Sequence, residues 1–135
     1  GCVTSGCPQL GLIINYLPGN IRLAVGKYAI GQIVVDSPSG TLKANEWVHI
    51  AGTYDGSSQV SGLKIYANGK ALVTTPTSNG SISGMSFNDS WSIGAQVSPP
   101  YFYLPGSLDD VRLYNRALSA TEVSQICTSS GTTCP

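Results

Sequence analysis

Apolar residues in this chain recur at every second position, in short runs cut by Gly, Pro, Asn, Asp and Ser, a pattern that suits half-buried strands and not long helices. Gly11-Leu12-Ile13-Ile14-Asn15-Tyr16 is apolar and β-branched, and it stops at Pro18-Gly19-Asn20. In Ile21-Arg22-Leu23-Ala24-Val25 the alternation puts Ile21, Leu23 and Val25 on one face and Arg22 on the other. Residues 28–35 form a third run, closed by Asp36-Ser37-Pro38-Ser39-Gly40. Residues 47–54 read as the most buried strand, with Trp47 in the core, ending at Asp55-Gly56-Ser57-Ser58. Further strands are expected at 90–95, 101–104 and 108–114, with Trp91 as a second core tryptophan.

Two local signals are sharper. Leu63-Lys64-Ile65-Tyr66-Ala67 runs through Asn68-Gly69 into Lys70-Ala71-Leu72-Val73-Thr74. An Asn-Gly loop tolerates positive φ at both positions, as a type I′ turn requires, so a tight hairpin is predicted. Ser119 with Glu122 three residues later fits a capping box and opens the chain's one helical stretch, 119–126. Many short antiparallel strands with one short C-terminal helix predict an all-β sandwich, and the 135 residues (1–135) fit a single domain.

Charge excludes some functions. Only 10% of residues are charged, and seven basic side chains balance seven acidic ones. No basic patch is available to neutralise phosphates, so nucleic acid is not an expected partner. The longest apolar runs are far too short to cross a bilayer, so membrane insertion is not expected either. A surface this poor in charge must be dressed in Ser, Thr, Asn, Gln and Gly, which suits glycan contact or packing against a neighbour.

The four cysteines form two terminal pairs, Cys2 with Cys7 and Cys127 with Cys134. There is no Cys-x-x-Cys, and the single histidine, His49, is remote from both pairs, which argues against zinc. Two local disulfides are the simplest reading, each adding about 2–3 kcal/mol on the chain-entropy view. A cross-link between the two ends is the rival connectivity. Either one implies an oxidising, extracellular or cell-surface setting.

Three stretches together resemble the laminin G-like family, in its bacterial and archaeal form. They are Asn45-Glu46-Trp47-Val48-His49-Ile50-Ala51-Gly52-Thr53-Tyr54-Asp55-Gly56, the hairpin Leu63-Lys64-Ile65-Tyr66-Ala67-Asn68-Gly69-Lys70, and Gly106-Ser107-Leu108-Asp109-Asp110-Val111-Arg112-Leu113-Tyr114-Asn115-Arg116-Ala117-Leu118-Ser119. The resemblance implies a concanavalin A-type jelly roll, with the third stretch as closing strand and helix cap and Leu104 at a buried position. Members usually begin with further strands, so the resemblance also implies that early strands are missing or come from another chain. It further implies one Ca²⁺, for which Asp109 is the first candidate ligand and Asp110 the second. Calcium needs six to eight oxygen ligands, and strand or loop carbonyls would have to complete the set.

No catalytic set assembles. A glycosidase needs two carboxylates flanking the scissile bond, and Asp36, Glu46, Asp55, Asp89, Asp109, Asp110 and Glu122 form no Glu-x-Asp-x-x-Glu strand. His49, between apolar neighbours, reads as a structural histidine, and no serine sits in a Gly-x-Ser-x-Gly elbow. Tyr101 and Tyr103 could offer ring faces to a sugar, or could close the sandwich edge. The expected function is non-catalytic recognition or adhesion, with glycan or protein at a cell surface as partner. The alternative is a subunit of a surface filament or layer that self-assembles, its sandwich completed by strands from neighbouring chains. A weaker alternative is an accessory domain of a polysaccharide-degrading enzyme.

Overall fold

Alternation of apolar side chains does produce strands here, and they pack as two sheets. The computed structural model describes residues 8–15, 19–27, 31–80, 82, 92–95, 103–131 and 134. Among them lie β1 (Pro8–Asn15), β2 (Asn20–Lys27), β3 (Gly31–Asp36), β4 (Ile50–Tyr54), β5 (Leu63–Ala67), β6 (Lys70–Ala71), β7 (Thr75–Asn79) and the helix α1 (Ala120–Ser129). One sheet has the order β1-β2-β3-β7 and the other β4-β5-β6, with every pairing antiparallel. The protein is an antiparallel β-sandwich of the jelly-roll kind with one short C-terminal helix.

The core lies where the apolar face predicted for β2 meets β3 and the second sheet. Ile21, Leu23 and Val25 from β2 and Ile33 and Val35 from β3 pack with Leu63 and Ile65 from β5. Register aligns them in rows, Leu23 opposite Val35 and Val25 opposite Ile33. Burying each such side chain is worth about 1.5–3 kcal/mol relative to leaving it in water. Gly52 brings the sheets close, because a Cβ there would sit 3.1 Å from both Leu12 Cδ1 and Leu23 Cδ1. On the face away from these residues, Arg22 grips the buried Asp36 through two bonds of 2.8 Å. These two residues face each other across β2 and β3, so the charge pair reinforces the register that the apolar residues set.

The Asn68-Gly69 turn forms as the sequence predicts, with φ of +47° and +77°. Helix α1 lies on this hairpin and buries Val123 and Cys127. Cys127 is joined to Cys134 by a disulfide with a Cα–Cα separation of 5.9 Å, and no described cysteine is free. The capping box is complete. Ser119 Oγ accepts from the Glu122 amide, and Glu122 Oε2 accepts from the Ser119 amide at 2.8 Å.

Several elements differ from expectation. The fourth strand starts at Ile50 and not at Trp47, and Trp47 is 63% exposed. Its ladder runs out at the hairpin: β5 ends at Ala67, and beyond it Asn68 holds only His49. The return strand of the hairpin is just Lys70–Ala71, after which the chain crosses to the other sheet as β7. Residues 92–95, 103–104 and 108–114 are not strands, and Leu104 is only half-buried. In the last of these, Asp110 takes φ +52°, which breaks the extended run. Trp91 and the expected disulfide partners Cys2 and Cys7 lie outside the described residues.

Replacing Gly69 by Val should cost about 1–3 kcal/mol, since a β-branched residue at positive φ is strained. Crowding adds to this, because its Cβ would stand 3.2 Å from Ser124 Cα. Urea unfolding of the variant should show a lower midpoint, and an unchanged midpoint would mean that neither the turn nor the helix depends on this glycine.

Candidate functional site

Residues 103–119 form no strand, and they carry a run of exposed apolar side chains. The segment is tied back at its start, where the Leu104 amide donates to Gly94 O at 2.7 Å and the Gly106 amide to Leu104 O at 2.9 Å. Tyr103, just before this tie, is 68% exposed. Leu108, Val111, Leu113 and Tyr114 follow, all exposed. Tyr101, the other predicted ring, lies outside the described residues.

Local hydrogen bonds hold the predicted carboxylates. Asp109 Oδ1 accepts from the Asp110 amide at 2.8 Å. Asp110 in turn receives a two-pronged contact from Arg112, 3.0 Å from Nε and 2.7 Å from Nη2. Such side-chain bonds to nearby groups compete with a sheet ladder, which is the physical reason this stretch is not a strand. They also bear on calcium. With Asp110 committed to Arg112, the pair does not form an open set of hard oxygen donors, and no group of three metal-binding side chains converges among the described residues. As arranged, these residues do not fit a Ca²⁺ ion.

His49 sits beside this segment, at the entry to β4. Its backbone is clamped by Asn68: the His49 amide donates to Asn68 Oδ1 at 3.0 Å, and the Asn68 amide donates to His49 O at 2.8 Å. Its Nδ1 is buried with no hydrogen-bond partner. Burial holds the imidazole pKa below its ordinary value. The Arg112 cation lowers it further, and the Asp110 carboxylate partly opposes this.

The remaining described carboxylates are mostly bound into structure. Asp36 is held by Arg22, and Asp55 accepts from the Ser57 amide at 2.9 Å in the turn after β4. Glu122 is held by Arg116 through bonds of 3.0 and 2.6 Å. The Arg116 contact escaped the sequence reading, since no helical spacing rule links a residue before the cap to one inside the first turn.

The fold and these motifs agree with a comparison to known families. The concanavalin A-like lectin/glucanases superfamily, in its laminin G-like form, matches residues 4–124. The chain belongs to this family. The laminin G-like match takes in both sheets and the Asn-Gly hairpin and ends within α1. The chain is also similar to the crystal structure of residues 221–444 of an S-layer domain-containing protein from Clostridium thermocellum, at 23% identity and a TM-score of 0.42. The alignment covers 94% of this chain and 65% of that one, so this chain spans less than two thirds of that structure. No curated protein matches the chain in sequence.

Two expectations follow. The melting temperature should not respond to Ca²⁺ or to a chelator; a Ca²⁺-dependent rise that Asp109→Ala removes would show that the Asp110–Arg112 pair opens to admit the ion. For His49, a folded pKa below the unfolded value means that the unfolded chain takes up the proton first. Stability is then complete above the unfolded pKa of about 6.5 and falls as pH drops from there towards the folded pKa. Urea midpoints between about pH 7 and pH 5 should decline in the native protein and less in His49→Gln; equal slopes would place the pH dependence elsewhere.

Proposed function

We propose that this laminin G-like domain is a non-catalytic recognition module that works outside the cell and binds glycan or protein at a cell surface. The exposed face of residues 103–114 carries the reading. Tyr103 and Tyr114 offer ring surface there, in a chain whose charges are few, with all three arginines held in ion pairs among the described residues. Aromatic faces beside hydroxyl and amide groups suit sugars and protein loops alike. The Cys127–Cys134 disulfide supports an oxidising setting. Among the described residues no helix is long and apolar enough to cross a membrane. A non-catalytic role is supported by the carboxylates Asp36, Asp110 and Glu122, each of which is held in an ion pair and not poised across a cleft.

Binding of the purified domain to an array of glycans and surface proteins tests this. Selective binding that weakens severalfold in Tyr103→Ala is the expected result. Hydrolysis of a polysaccharide panel would overturn the non-catalytic reading.

A second reading, a subunit that assembles with neighbouring chains, is favoured by one observation. Strand β4 has no partner on its outer side among the described residues, and β1, at the edge of the other sheet, shows Leu10, Leu12 and Ile13 partly exposed. Open edges of this kind accept strands from other chains. Sedimentation over a concentration series decides it: association with rising concentration supports the subunit, and a monomer throughout rejects it.

A further inference from the structure

Between residues 114–118 and the outer face of α1 lies an open groove of about 270 Å³. Tyr114, Arg116 and Leu118 form one side, with Glu122, Gln125 and Ile126 on the helix forming the other. None of these residues was singled out as ligand-binding by sequence, and Tyr114 joins the groove to the exposed face of residues 103–114.

Its chemistry is specific. Tyr114 supplies a partly exposed ring, and Leu118 and Ile126 add apolar surface. Arg116 is fixed in place, with Nη1 donating to Glu122 Oε2 at 3.0 Å and to Ala117 O at 3.4 Å, and Nη2 donating to Glu122 Oε1 at 2.6 Å. That leaves Nε–H and one Nη2 hydrogen of its five donors uncommitted. Glu122 is itself held by the capping box, since Oε2 also accepts from the Ser119 amide and hydroxyl at 2.8 and 2.9 Å. Gln125, on an exposed face of α1, adds an amide that can both donate and accept.

Charge selects the ligand class. Arg116, then the Ser119 amide and hydroxyl, hold the Glu122 carboxyl down at about 2. The Arg116–Glu122 pair is therefore ionised and internally neutral across the working pH range, and an anionic ligand gains no net attraction from it. Size narrows the choice further. Ligand clefts commonly run about 300–1,000 Å³, so an open groove of about 270 Å³ has room for one ring at most.

We propose that this groove binds a single uncharged sugar residue, stacked on Tyr114 and oriented by Gln125 and the uncommitted Arg116 donors. The proposal rests on the reading of the domain as a recognition module and names a site for it. Glu122 and Ser119 are positioning residues: they hold the guanidinium and do not need to touch the sugar.

The test is titration of the isotopically labelled domain with methyl glycosides of glucose, galactose and N-acetylglucosamine, followed by amide NMR, with glucuronate as the charged comparator. Saturable shifts confined to residues 114–129 are expected with at least one neutral glycoside, and glucuronate should bind no more tightly. Tyr114→Ala should weaken binding roughly tenfold. Gln125→Ala, an exposed change that leaves the helix intact, should weaken it severalfold. Glycoside shifts that map elsewhere and survive both variants would overturn the groove while leaving the recognition reading in place. So would the absence of any shift at saturating glycoside in a domain that still binds the glycan array. Silence of both the glycosides and the whole array of glycans and surface proteins would remove the recognition reading as well.

Discussion

Most of the second sheet is organised by one turn. Asn68 and Gly69 both occupy positive φ, and with only two residues between the strands the pairing of Ala67 with Lys70 and Tyr66 with Ala71 is fixed. The Asn68 side chain and amide then reach across to His49, setting where β4 begins. Gly69 presents bare backbone to α1, so that the helix can lie close and bury Val123 and Cys127. Hairpin register, strand entry and helix seat all depend on two adjacent residues that few other pairs could replace.

The two-sheet core depends on a different property, the alternation of β2 and β3. Ile21, Leu23 and Val25 could face the second sheet only if Arg22 faced away, and Asp36 stands opposite Arg22 to receive it. The facing of β2 was legible because it needs only a period of two, whereas the Asp36 partner was not, since it depends on the pairing with β3. The Asn-Gly turn and the Ser119–Glu122 cap were legible for a similar reason, since each completes its hydrogen bonds within a few residues.

Legibility failed where local bonds and tertiary pairing compete. Residues 108–114 carry the composition of a strand, yet Asp109 bonds the next amide and Arg112 forks onto Asp110, and the extended run is lost. Trp47 has the size and chemistry of a core residue, but the strand opposite turns away before reaching it. Neither outcome could be read from propensity, because both depend on where a partner strand ends. The sugar groove was equally hidden, as it joins a residue before the helix cap to residues two turns along the helix.

The sheet edges have a consequence for how copies could meet. On β7 the edge carries Pro76, which lacks an amide hydrogen, beside a register shift at Val34/Val35, so this border is a poor template for another strand. Among the described residues the open borders are β1 and β4, which belong to different sheets. Two molecules joined β1 to β1 would form a closed two-fold pair with β7 outermost on both sides, and growth through that sheet would stop there. A contact from β1 of one molecule to β4 of the next is head-to-tail, and unless it closed into a ring it would continue without limit. A single choice of border thus separates a finite particle from a fibre.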